Sequence, residues 1–182
     1  MKTFYISFIL FLVVTMNSCL TYRVAEYTIT FADTFNSGKI QVYYTDIRSS
    51  EKDEVKREKD FNELIELLEE DKFLLDQIED DVYVKERKIF EKNGQINGQY
   101  TGIFSDLKIE HNALKHENEE WILFLSLDEG QQIESNGKVL ISNRNVLLTW
   151  PKDQKVLTFK VTLKNYDAET YPLIDYFLKW KQ

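Results

Sequence analysis

The chain has 182 residues, a formal net charge of −8, one cysteine, two histidines, six glycines and two prolines. Such a surface repels nucleic acid and anionic headgroups, and no basic patch with interleaved aromatics offsets it. A single cysteine excludes an internal disulfide, and so few glycines and prolines leave little room for a linker, so one domain held by its apolar core is expected.

Lys2 gives a positive start, residues 4–14 form an apolar run broken only by Tyr5 and Ser7, and small or polar residues lead into Cys19. That is the layout of a cleaved secretory signal. The run is too short for a permanent membrane-spanning helix, which needs about 20 apolar residues. The segment Val14-Thr15-Met16-Asn17-Ser18-Cys19 resembles the lipobox of bacterial lipoproteins, with Ser18 as the small residue before the cysteine. The resemblance implies that the Cys19 sulfur receives a diacylglycerol, that residues 1–18 are removed as a signal peptide, and that the new amino group is acylated. It also places the mature domain, residues 19–182, in a bacterial cell envelope. By the same resemblance alone, Leu20, which lacks the acidic character that retains some lipoproteins at the inner membrane, implies the outer one. Two or more chains hold a protein stably at about 0.8 kcal/mol per buried methylene, where one chain binds only marginally. A soluble secreted protein with a free thiol is the alternative. The mature chain has 22 basic and 31 acidic residues, a formal charge of −9.

Leu20 and Thr21 lead at once into residues 22–31, whose aromatic and β-branched content predicts a strand. No Gly/Ser-rich spacer separates it from Cys19, so the globule is expected close to the membrane surface. Asn36-Ser37-Gly38 reads as a turn, followed by a strand over residues 39–47 with Ile40, Val42 and Tyr44. Residues 49–59 are dense in charge, a loop or the solvated start of a helix. Asp60 and Glu63 match a capping box. Phe61, Leu64, Ile65, Leu68, Leu75 and Ile78 then repeat at helical spacing, with an irregularity near Asp71-Lys72. They predict an amphipathic helix over about 60–78 with its stripe in the core.

Asn93-Gly94 supplies the positive φ of a two-residue type I′ hairpin turn. Closing there pairs Ile96 with Glu91, Tyr100 with Arg87 and Phe104 with Tyr83, and sets Val84 against Ile103 on the other face; Asn97-Gly98 offers a rival turn. Residues 121–127 are a continuous apolar run, expected as a buried central strand. Asn136-Gly137 marks another turn. Residues 145–150 and 155–163 predict a hairpin around Pro151. Its core face would carry Val146, Leu148, Trp150, Leu157, Phe159, Val161 and Leu163, with Thr149, Thr158 and Thr162 facing solvent. Residues 170–181 read as a C-terminal helix packed across the sheet; the alternative sets Tyr176, Lys179 and Trp180 at the bilayer interface.

Chemistry is sparse. His111 and His116 are five residues apart in a polar stretch, off a common helical face, and metal ligation there would need Glu110 or Glu117 to fold back. They are expected to be surface histidines. Glu69-Glu70-Asp71 and Glu79-Asp80-Asp81 lack the alternating ligands and glycine of a calcium loop and read as solvated surface. No Gly-x-Ser-x-Gly and no phosphate-cradling glycine loop occurs. No catalytic, cofactor-binding or metal residue is assigned, and the one site residue is Cys19, for lipidation.

The fold class expected is α+β, mainly curved antiparallel sheet packed with the two helices. The element order and the late Asn136-Gly137…Trp150 strand pattern are similar, in loose outline, to membrane-anchored bacterial lipoprotein domains of helix-grip-like shape, some of which bind lipids. The expected function is a non-catalytic binding module near the membrane, for a protein, lipid or small molecule. The alternatives are an assembly subunit of an envelope complex and a hydrolase with an unrecognised acidic pair. A cavity of several hundred cubic ångströms lined by core-face aromatics would point to the binder. A filled core with an exposed aromatic patch would point to the assembly subunit, and a cleft holding two facing carboxylates to the hydrolase.

Overall fold

The computed structural model describes residues 19–32, 37–109 and 112–182. The leader over residues 1–18, Asn36 of the first turn, Glu110 and His111 lie outside the described residues. In chain order the elements are β1 (Leu20–Phe31), β2 (Ser37–Ser49), α1 (Glu54–Glu69), α2 (Asp71–Glu79), β3 (Val82–Lys92), β4 (Gln95–Ser105), β5 (Lys108–Ile109), β6 (Asn112–Ala113) and β7 (Lys115–Glu117). There follow β8 (Glu120–Ser126), β9 (Gln131–Ser135), β10 (Lys138–Ser142), β11 (Asn145–Pro151), β12 (Val156–Leu163), α3 (Tyr166–Glu169), β13 (Tyr171–Pro172) and α4 (Ile174–Trp180). The class is α+β, mostly antiparallel sheet with an open, curved main sheet.

The larger sheet runs β3-β4-β2-β1-β12-β9, with β13 joined to the end of β2, and the smaller runs β10-β11-β8-β7. The β3–β4 hairpin closes at Asn93 and Gly94, both at positive φ, and pairs Glu91 with Ile96 and Arg87 with Tyr100 as expected. An irregularity between Val84 and Glu86 then shifts the register by one, so Phe104 meets Val82 and Val84 meets Gly102. The rival turn at Asn97-Gly98 lies inside β4.

The segments expected to form the Pro151 hairpin do not pair with each other. β11 pairs with β8 and β10, whereas β12 pairs with β1 and β9, so the turn carries the chain from one sheet to the other. Alternating apolar residues look the same whether two strands lie side by side or face to face, and here they face. Leu148 and Trp150 on one wall and Leu157 and Phe159 on the other are all buried in one core cluster. Val161 and Leu163 are only half-buried, and Thr149 is buried rather than solvent-facing. β8 is central in its sheet but covered on one face: Trp121, Leu123 and Leu125 are buried while Phe124 is 54% exposed.

Helix α1 starts six residues before the expected capping box. Asp53 is its N-cap, accepting the Lys56 amide at 3.0 Å, and Asp60 sits buried within the helix. Glu70, in extended backbone, separates α1 from α2, close to the irregularity expected near Asp71. The apolar stripe ends with α1: Phe61, Leu64 and Ile65 are buried, but Leu75 and Ile78 on α2 are exposed, and no residue of α2 is buried. At the C-terminus the helix begins only at Ile174, because Tyr171 and Pro172 pair with β2 first. Leu173 and Phe177 are buried against Ile47, Phe61, Leu64, Ile65 and Ile96 in a second cluster.

One face of the larger sheet therefore carries two covers, the smaller sheet at one end and the helices at the other. Strand β2 changes which residues point inward at the join. Ile40 and Val42 are buried on one parity, Ile47 and Ser49 on the other. The switch falls at Asp46, held at φ 56°, a left-handed conformation that a non-glycine residue adopts only when its surroundings enforce it. That enforcement comes from side-chain bonding. The Asp46 carboxylate accepts from Arg48 Nε at 2.9 Å, from Arg23 Nε at 3.2 Å and from Gln95 Nε2 at 3.1 Å. Its amide donates to buried Asn97 at 3.3 Å, and the Tyr166 hydroxyl donates to its carbonyl. Both guanidinium groups stack on the Tyr166 ring, 5.5 and 5.2 Å from its centroid.

Candidate functional site

The two covers do not close completely. Between the sheet and the α1–α2 pair lies a cavity of about 250 Å³. Its floor is Tyr44, Ile47, Gly98 and Tyr100; its roof is Leu64, Leu67, Leu68 and Phe73; Leu20, Thr21, Arg87 and Lys88 stand among its remaining walls. The space has a sequence origin. On the inner face of β4, Gly98 stands between Ile96 and Tyr100, and Gly98 pairs with Tyr44 of β2. A strand glycine leaves out a side chain where a neighbour could otherwise pack.

A second, smaller and more enclosed cavity of about 170 Å³ adjoins the first, and Tyr22, Tyr44 and Tyr100 line both. The rings of Tyr22 and Tyr44 are 5.0 Å apart, and Phe73 meets Tyr100 edge-on at 5.4 Å. The inner cavity also touches Gln77, Asp80 and Lys108, so it is the more polar of the two. Burial pushes the Tyr44 hydroxyl well above its ordinary pKa, reinforced by neighbouring Tyr27, Tyr100 and Tyr22. Burial, then Asp80, raises Tyr100 likewise. The shared wall thus offers neutral phenols at physiological pH, able to hydrogen-bond but not to transfer protons as a base.

The charge at the outer cavity comes from β3. Arg87 and Lys88 are the only ionisable-cation or carboxylate side chains among its lining residues. Helix α1 has no basic residue in its last turn, and Arg87 Nη1 reaches across to its end, donating to the carbonyls of Leu67 at 3.0 Å and Glu70 at 2.8 Å. The guanidinium also lies over the Phe73 ring at 5.8 Å. Lys88 is half-exposed and 3.3 Å from Glu86.

Cys19 sits immediately before β1 and is tied to the fold. Its amide donates to the buried Asp60 carboxylate at 3.2 Å, which also accepts the Ser49 hydroxyl at 2.5 Å. The Ser50 amide donates to its carbonyl at 2.8 Å. Its thiol donates to Glu51 at 3.2 Å, and that carboxylate pushes the thiol pKa up, leaving a protonated sulfur rather than a thiolate. Leu20 and Thr21, which follow it, line the outer cavity.

His116 is half-buried beside the Trp121 ring, 5.2 Å between centroids. Among the described residues no three His, Cys, Asp or Glu side chains gather as a metal site. Glu69, Glu70, Asp71 and Glu79 are exposed, and Asp81 pairs with Lys108 at 2.6 Å. Phe73, Arg87 and the Asp46 cluster were not assigned a role from the sequence, and Gly98, read there as part of a rival turn, proves to be the strand glycine opposite Tyr44. No family model matches the chain, and neither a curated protein nor a solved structure matches it. Among the described residues, no helix is long and apolar enough to cross a membrane.

Proposed function

We propose that this chain is a membrane-anchored bacterial envelope lipoprotein, lipidated at Cys19, whose domain is a non-catalytic binding module for an apolar small ligand. The observation that carries the reading is the aromatic-walled cavity of about 250 Å³ between the sheet and α1–α2. It has the character of a small-molecule site, mostly apolar with few polar groups. The anchor itself rests on the lipobox-like segment ending at Cys19. The placement of Cys19, held on the fold with no spacer before β1, supports a cavity close to the bilayer. A second reading, an assembly subunit, is favoured by the row Leu140, Leu147 and Phe124, which are cross-strand neighbours on the smaller sheet, with Leu140 and Phe124 exposed.

Mass spectrometry of protein purified from membranes tests the proposal. The expected result is acylation at Cys19 with residues 1–18 removed, together with a co-purifying apolar compound. Cys19→Ser should move the protein to the soluble fraction. A serine variant that stays membrane-bound with its leader removed refutes the anchor, and an empty cavity in every preparation refutes the binder.

A further inference from the structure

We propose that the ligand is a single-chain anionic amphiphile, its acyl tail in the outer cavity and its carboxylate or phosphate head at Arg87 and Lys88. The inference rests on the binding-module reading and adds the ligand's chemistry to it.

Three observations converge. The chain is acidic in net, yet the outer cavity has two cationic side chains among its lining residues and no carboxylate. Second, Arg87 is fixed in place. Its Nη1 donates to the α1 terminal carbonyls and its guanidinium lies over Phe73, which orders it beside the cavity. A guanidinium has five N–H donors in a rigid fork suited to carboxylate and phosphate. Among the described residues Nε and Nη2 of Arg87 donate to nothing. The partial negative charge of the α1 terminus offsets about half of the Arg87 charge and leaves the rest for a ligand. Third, the size suits a chain. A volume of about 250 Å³ corresponds to about eight water-sized units at roughly 30 Å³ each, and a methylene is of similar size. That accommodates one chain of about eight to ten carbons, or the end of a longer one, and is too small for two.

Leu20 and Thr21 directly follow Cys19, so the cavity wall begins one residue from the anchor. A membrane amphiphile would have a short path into it. Tyr22, Tyr44 and Tyr100 line both cavities, so a longer chain would meet those three rings.

The test uses the full chain carrying Cys19→Ser, titrated by calorimetry with octanoate, decanoate, dodecanoate and tetradecanoate, octyl and decyl phosphate, and 1-decanol. Affinity should rise about fourfold per methylene, as expected for burying each one, and level off at about ten carbons. Decanoate or decyl phosphate should bind at least tenfold more tightly than decanol, and whichever of the two is tighter identifies the natural head. Gly98→Val and Leu68→Trp each fill the cavity, from the floor and from the roof, and both should abolish binding while the protein melts cooperatively. Arg87→Gln with Lys88→Gln should erase the preference over decanol and keep the chain-length dependence. Equal binding of decanol and decanoate overturns the anionic head and leaves the binding module standing. Binding unaffected by either filling variant overturns the site. No binding of any probe overturns both this inference and the binding-module reading.

Discussion

Raising the pH above 10 should unfold this domain unusually steeply, because Tyr44, Tyr100 and Tyr166 are all held protonated by the fold. Burial is the leading cause at each, and Asp46 adds to it at Tyr166. In the unfolded chain each phenol titrates near 10. Below that pH both states hold the proton and the three groups have no effect on stability. Above it the unfolded state releases three protons that the folded state retains, so stability falls as pH rises. Each group contributes a slope of about 1.4 kcal/mol per pH unit, and three give about 4 kcal/mol per unit. A domain with a stability of 5–15 kcal/mol would lose all of it within roughly one to four units. Urea unfolding followed by tryptophan fluorescence at pH 8, 9.5, 10.5 and 11.5 measures the slope, with absorbance near 295 nm reporting phenolate. Tyr44→Phe should lower the slope to about 2.7 kcal/mol per unit without moving its onset. A stability that stays level to pH 11.5, or a Tyr44→Phe slope equal to that of the parent, would show that these hydroxyls are not enclosed as described.

Asp53→Ala removes the α1 N-cap bond and should cost about 1 kcal/mol in a urea melt, whereas Asp60→Ala strands the Cys19 amide and the Ser49 hydroxyl and should cost about 3 kcal/mol. If the capping box at Asp60 were the true helix start, Asp53→Ala would be near neutral and Asp60→Ala would cost only about 1 kcal/mol. Phe177→Ala empties a fully buried site and should cost about 3–5 kcal/mol, while Trp180→Ala, 43% exposed, should change stability by no more than about 0.5 kcal/mol. Gly137→Ala would set a methyl carbon 2.4 Å from the Thr149 carbonyl and the Trp150 ring, and should lower stability by about 3 kcal/mol or more; a neutral result would mean that β10 and β11 pack more loosely there.

Strand content, the helical stripe and the Asn93-Gly94 hairpin were legible because each is local. Turn chemistry and a two- or 3.6-residue period act on neighbours in sequence. Register over Glu91 and Arg87 followed from the turn alone, and it failed at Val84 because a bulge depends on what the strand must cover. Alternation at Val146, Leu148, Trp150, Leu157 and Phe159 identified the core residues but not the sheet to which each strand belongs. Opposed and adjacent strands satisfy the same pattern, and the choice rests on pairings with β1 and β8 that lie far away in sequence. The stripe at Leu75 and Ile78 misled for a related reason: spacing marks a face, and only tertiary contacts decide whether anything covers it. The cavity was least legible, since it is a space left where two covers meet.

That meeting point is also where the N-terminus is bonded. Asp60, which holds the Cys19 amide and Ser49, lies on α1 one turn before Leu64, a roof residue of the cavity. On the other side Leu20, one residue after Cys19, lines the same space. Position 19 is therefore linked to roof and wall at once, through a buried carboxylate that lifting α1 would separate from both of its donors. A buried hydrogen-bonded carboxylate adds little net stability compared with an apolar replacement, but it penalises every arrangement that separates its partners. Here it ties the start of the chain to the helix that roofs the cavity. Force applied at Cys19 would load β1 directly and α1 through Asp60.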